Sequence, residues 1–162
     1  MNPTKTLKIS CLLFAAVCLG FGHPAAKADP AGAEDNAYRL AVKFVQRGFA
    51  MAPTNNSGVG GSGFTVRFLV PVSKGVDYIF LCGMDTMVQR SGIYVYDEVG
   101  NLILDDRRGG KNSGVQFRSS YNGTVQVYVN ISRADGLGAY AVLVGRRGEE
   151  RRTDTTENNN PG

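Results

Sequence analysis

The residues best suited to chemistry crowd into one short stretch. Asp97, Glu98, Asn101, Asp105 and Asp106 offer carboxylate and amide oxygens within a single 97–106 segment. Such oxygens suit calcium, which takes about six to eight of them. An EF-hand loop needs acids at positions 1, 3 and 5 and a Glu at 12, a spacing this segment does not have. No cofactor is expected, and calcium held by Asp97, Asp105 and Asp106 is the one alternative the pattern leaves open. The plainer expectation is that these are solvated turn residues, with Asp105 or Asp106 accepting backbone N–H bonds. A carboxylate pair drawn from Asp85, Asp97 and Asp106 could hydrolyse a glycoside without histidine. Sugar-cleaving sites normally present broad aromatic platforms, and the chain has no Trp.

Tyrosine is the second candidate chemistry. Tyr94 and Tyr96 alternate with Ile93 and Val95 and so share one side of a strand, and Tyr128 can face them from another. Tyr buries area while keeping a polar tip, which suits a binding surface. Ser91-Gly92-Ile93-Tyr94 also resembles the short Ser-Gly-x-Tyr pattern of periplasmic lysozyme inhibitors. That resemblance implies a role for Ser91 and Tyr94 in contacting a secreted hydrolase.

Export sets the limits on everything else. Lys5 and Lys8 precede an uncharged run over 9–22, and Ala26-Lys27-Ala28 places small residues where a signal peptidase reads them. Residues 1–28 are expected to be a signal peptide, Asp29 the first mature residue, and the location secreted or periplasmic, with no membrane span after cleavage. That segment carries three lysines and no acid, so its removal lowers the formal charge from +4 to +1. A nearly neutral chain lacks the bulk charge that drives nucleic-acid binding. Cys11, Cys18 and His23 leave with it, and Cys82 remains as the lone thiol. Without His, neither a Ser-His-Asp nor a Cys-His system can be assembled. No enzyme activity is expected.

These residues need elements to position them. Tyr38, Ala41, Val42, Val45 and Phe49 recur at spacings of three and four, which predicts a helix within 29–52 packed by that stripe. Residues 53–63 are rich in Gly, Asn and Ser and read as a flexible linker. Short strands are predicted over 64–70, 77–82, 92–97, 102–105, 115–118, 124–131 and 139–144, bounded by Gly, Asn, Asp and Ser turns. Val125, Val127, Val129 and Ile131 take one face of their strand, and Gln126, Tyr128 and Asn130 the other. Gly100-Asn101 supplies the tight turn between two of the strands. The polar stretch 147–162 reads as a disordered tail. The fold class is mainly β: an antiparallel sandwich or barrel over 64–146, of about seven to eight strands, with one N-terminal helix.

The order of these features resembles the bacterial pre-peptidase C-terminal domain. The resemblance is carried by Gly75-Val76-Asp77-Tyr78-Ile79-Phe80, by Tyr94-Val95-Tyr96-Asp97 running into Gly100-Asn101 and Asp105-Asp106, by Gly123-Thr124 opening a strand, and by Gly138-Ala139-Tyr140 opening the last. It implies that the fold is an antiparallel, jelly-roll-like β-sandwich, a secreted accessory module here without room for a catalytic domain. The expected function is an exported, non-enzymatic binding or adaptor module for a protein or a cell-envelope glycan. The alternatives are a periplasmic inhibitor of a lysozyme-type hydrolase and a calcium-binding structural module.

Overall fold

The computed structural model describes residues 27–53, 56–107 and 110–148. Most of the expected leader and the tail beyond Gly148 lie outside the described residues. One helix, α1 (Pro30–Val45), precedes nine strands: β1 (Ala50–Met51), β2 (Asn56–Gly60), β3 (Phe64–Val72), β4 (Asp77–Met84), β5 (Val88–Tyr96), β6 (Leu102–Asp106), β7 (Ser113–Arg118), β8 (Gly123–Ala134) and β9 (Gly138–Arg147). Two antiparallel sheets form. One runs β1-β9-β4-β7, with β2 also on β9, and the other runs β3-β8-β5-β6. Apart from the β5–β6 hairpin, the connections from β3 onward cross between the sheets, as in a jelly roll. The fold is a β-sandwich, one of the two architectures that the alternation admits and the one that the resemblance implies.

Three layers result, and burial follows from them. The core between the sheets takes Phe80, Cys82 and Met84 from β4, Ile93 and Val95 from β5, the four aliphatics of β8, and Tyr140 and Val142 from β9. A second core lies between α1 and the outer face of the β9-β4 sheet, formed by Ala33, Ala37, Ala41, Phe44, Ile79, Leu81, Ala139, Ala141 and Leu143. Strands β4 and β9 are thus covered on both faces and read as continuous apolar runs, while β8 keeps a wet face and alternates.

The helix lies within the expected span, and Ala41 and Phe49 of the expected stripe are buried, but the helix is rotated away from the other three. Tyr38, Val42 and Val45 are exposed, and the buried stripe is Ala33, Ala37, Ala41 and Phe44. Only alanines permit the close approach to Gly83 of β4, where an added Cβ would lie 2.8 Å from Ala37 Cα and overlap Ala33 O. Small size decided the packing face, whereas hydropathy favoured the larger residues. Asp29 caps the helix, its Oδ1 accepting from the Gly32 N–H at 3.0 Å, and Pro30 stands at the first turn, where its missing N–H costs nothing.

Two boundaries are corrected. The stretch expected as a linker contains β2, which pairs along β9 from Asn56↔Val142 to Gly60↔Gly138. Its glycines serve close packing, since the Tyr140 ring lies against Gly58 and the Phe64 ring against Gly60. The sandwich also extends to Arg147, placed by composition in the tail. Its guanidinium pairs with Asp77 at 3.0 Å, donates to Arg47 O at 3.0 Å and sits 4.8 Å from the Phe49 ring centre. It ties the end of α1 to the sheet.

Cys82 is fully buried, and burial raises its thiol pKa far above the ordinary range. The native chain lacking residues 1–28 is therefore expected to resist a thiol-reactive dye, and the denatured chain to bind one equivalent. Native-state labelling at the denatured rate would contradict this burial.

Candidate functional site

The outer face of the β3-β8-β5-β6 sheet has no covering layer in the described residues. Strand register places its side chains in rows. Arg67, Tyr128, Tyr94 and Asp105 are successive cross-strand partners, as are Leu69, Gln126, Tyr96 and Leu102, and as are Thr65, Asn130 and Gly92. A β-bulge between Val95 and Tyr96 makes Ile103 the extra residue of β6, so that Tyr96 still faces outward beside Leu102. The alternation that buries Ile93 and Val95 thus aims both β5 tyrosines at solvent.

These rows form a shallow depression of about 530 Å³ lined by Thr65, Tyr94, Tyr96, Gly100, Gln126, Tyr128 and Asn130. Tyr96 and Tyr128 pack edge to face, with ring centres 5.3 Å apart and planes at 81°. The Tyr128 hydroxyl donates to Gln126 Oε1 at 3.3 Å, and the same oxygen accepts from Arg67 at 3.4 Å. Asn130 Nδ2 donates to Thr65 Oγ1 at 2.9 Å. Arg107 lies 5.9 Å from the Tyr94 ring centre, and its fork is held by Asp105, which keeps the guanidinium protonated. The face offers aromatic area, amide and hydroxyl groups, and two cations, Arg67 and Arg107. Nothing in it resembles a nucleophile paired with a base.

Of the residues singled out by sequence, Tyr94, Tyr96 and Tyr128 come together. Ser91 does not join them. It is 2% exposed on the inner side of β5, where its Oγ lies 2.8 Å from both Ser113 Oγ and Lys111 O. The Ser91–Tyr94 segment lies within strand β5. Gly92 has a packing reason: a Cβ there would lie 3.2 Å from the Tyr94 ring.

The acids also part company. Asp97 sits in the β5–β6 turn, while Asp106 stands opposite Ile93 at the far end of β6. Asp97 Oδ1 accepts from the Val99 and Asn101 N–H groups at 3.0 and 2.7 Å, and Oδ2 accepts from the Asn101 amide at 2.8 Å. Those bonds, the Asn101 side chain first, lower its pKa. Asp105 pairs with Arg107, and Asp106 accepts from the Gly114 N–H at 3.0 Å. The expectation that one hairpin end gathers all three is corrected by the register. Among the described residues no three acidic, His or Cys side chains are grouped as metal ligands. Gly100 takes positive φ in the turn, as its sequence context requires.

Thr65, Arg67 and Arg107 were missed as parts of this face. Thr65 and Arg67 were legible from alternation in 64–70, where they interleave with Phe64, Val66 and Phe68. Arg107 had no sequence signal, because only the hairpin register brings it beside Tyr94.

No protein-family model matches the chain, and no curated protein matches it. Among solved structures, the chain is similar to PliG of Aeromonas hydrophila, a periplasmic lysozyme inhibitor of g-type lysozyme. The similarity is 14% identity over 62% of this chain and 90% of that chain, with a TM-score of 0.47.

Proposed function

We propose that the chain is a non-enzymatic binding module whose partner is a protein, docked on the outer face of the β3-β8-β5-β6 sheet around Tyr94, Tyr96 and Tyr128. The observation that carries this reading is the edge-to-face Tyr96–Tyr128 pair with Tyr94 and Arg107 beside it. Tyr and Arg, with Trp, are enriched among the residues that anchor protein interfaces. A glycan platform would instead favour rings laid flat to solvent, whereas these two rings stand at 81° and are partly buried against each other. The Gln126, Asn130 and Thr65 groups supply the polar rim. An exported hydrolase of the lysozyme type is the narrower partner raised by the sequence. With Ser91 sealed inside the sandwich, such inhibition would run through Tyr94 and its neighbours.

The test is a binding titration of exported hydrolases, g-type lysozyme among them, alongside a glycan array. Tyr96→Ala is expected to weaken protein binding about 30-fold, the loss of about 2 kcal/mol typical of a central aromatic anchor. The thermal midpoint should stay near the parent value. Binding that survives joint replacement of Tyr94, Tyr96 and Tyr128 by Ala would sink the proposal, as would glycan binding with no protein partner.

A further inference from the structure

The peptide bond expected to be cut on export ends on a nitrogen that is already seated on a buried carboxylate. The Asp29 main-chain nitrogen lies 2.8 Å from Asp85 Oδ2. Asp85 is 1% exposed in the β4–β5 turn. Its other partners are the N–H groups of Met87, Val88 and Ala139, at 3.0, 3.3 and 2.9 Å. All four donors are neutral while Asp29 is in peptide linkage, and among the described residues no Lys or Arg pairs with Asp85. A buried carboxylate ordinarily has a cationic partner.

We propose that hydrolysis of the Ala28–Asp29 bond by a leader peptidase completes the fold, by turning this contact into an ion pair between the new α-ammonium of Asp29 and Asp85. One water is consumed. Its oxygen joins the Ala28 carbonyl carbon, which leaves as the carboxylate of the leader. The Asp29 nitrogen keeps its electron pair and takes up protons to become an ammonium, the ordinary state of an α-amine below about pH 7.7. No oxidant or other reactant is required.

Position and charge both favour this. Ala26 and Ala28 are the small residues that such a peptidase reads, and Lys27 is exposed while Ala28 is half-buried. Asp29 is fixed twice, by its nitrogen on Asp85 and by its side chain capping Gly32, so the freed terminus stays in place. A cation at a helix N-terminus opposes the helix dipole. Here the Asp29 and Asp85 carboxylates both lie at that end and offset it. A hydrogen bond between ions is roughly twice as strong as one between neutral groups. The precursor therefore holds α1 less firmly than the exported chain does.

Mass spectrometry of the exported protein should give Asp29 as its first residue. Its thermal midpoint should fall by about 5 °C when the α-amine alone is acetylated. A chain begun at Lys27 keeps the peptide nitrogen at Asp29 and should match the acetylated form. In Asp85→Asn the acetylation effect should vanish; should that variant not fold, the Lys27 and Asp29 chains decide the matter on the wild-type sequence. Equal midpoints for free and acetylated chains, a higher midpoint after acetylation, or a mature terminus elsewhere than Asp29 overturns the proposal.

Discussion

Asp85→Ala is expected to destabilise the exported chain by about 3–5 kcal/mol, read as a lower midpoint in urea with an unchanged slope. The replacement removes the acceptor of four main-chain N–H groups at once, from Asp29, Met87, Val88 and Ala139. Val88 and Ala139 are themselves buried, so water cannot replace the lost carboxylate there. The contacts span three parts of the fold: the start of α1, the β4–β5 turn and the beginning of β9. Next to them Asn36 Nδ2 donates to Met84 O at 2.8 Å, and Asn112 Oδ1 accepts from the Met84 N–H at 2.9 Å. Asp85→Asn keeps one acceptor oxygen and should cost roughly half as much. A loss below about 1 kcal/mol for Asp85→Ala would show that the turn rearranges to pair these groups otherwise. As a catalytic acid Asp85 has no opening to solvent; its role is to hold three chain segments together.

Gly83→Ala should cost about 3 kcal/mol and lower the thermal midpoint by about 10 °C. The added methyl would meet the main chain of α1 at Ala33 and Ala37, and a main chain cannot swing aside as the end of a long side chain can. The helix must lift from β4, loosening the contacts of Ala33, Ala37 and Ala41 with Ile79, Leu81 and Ala141. Hydrogen exchange in α1 should accelerate more than in β8, which lies in the other sheet. Val42→Ser is the matched control. Val42 lies on the stripe that hydropathy selects but is 55% exposed, so its loss should stay within about 0.5 kcal/mol. If Val42→Ser proved the more damaging change, α1 would have to pack by its valine stripe and not by its alanines.

The contrast between these two residues shows how far a sequence reaches. Strand alternation in 64–70, 93–96 and 124–131 suffices to name an antiparallel β fold and to sort inner from outer side chains, because a period of two makes two faces and the apolar set marks the inner one. The absence of His from 29–162 likewise means that those residues cannot assemble a Ser-His-Asp or Cys-His system, whatever the fold. The tyrosines at 94 and 96 share a face for the same reason that the strands alternate. These features depend on local geometry or on composition, and neither changes when the chain packs.

Tertiary structure alone decided the rest. Which stripe of α1 faces inward depended on Gly83, distant in sequence from the Ala33 and Ala37 it meets and invisible to helical periodicity. Glycines at 58 and 60 look like linker residues until Tyr140 and Phe64 lie against them. Ser91 and Tyr94 are neighbours in sequence and stand on opposite sides of β5, and Asp97 and Asp106 stand at opposite ends of β6, because an extended strand separates residues that lie close together in the sequence. Asp85 carried no motif at all. Its significance comes from four donors that converge from distant parts of the chain, and convergence of that kind is a property of packing, which no local pattern encodes.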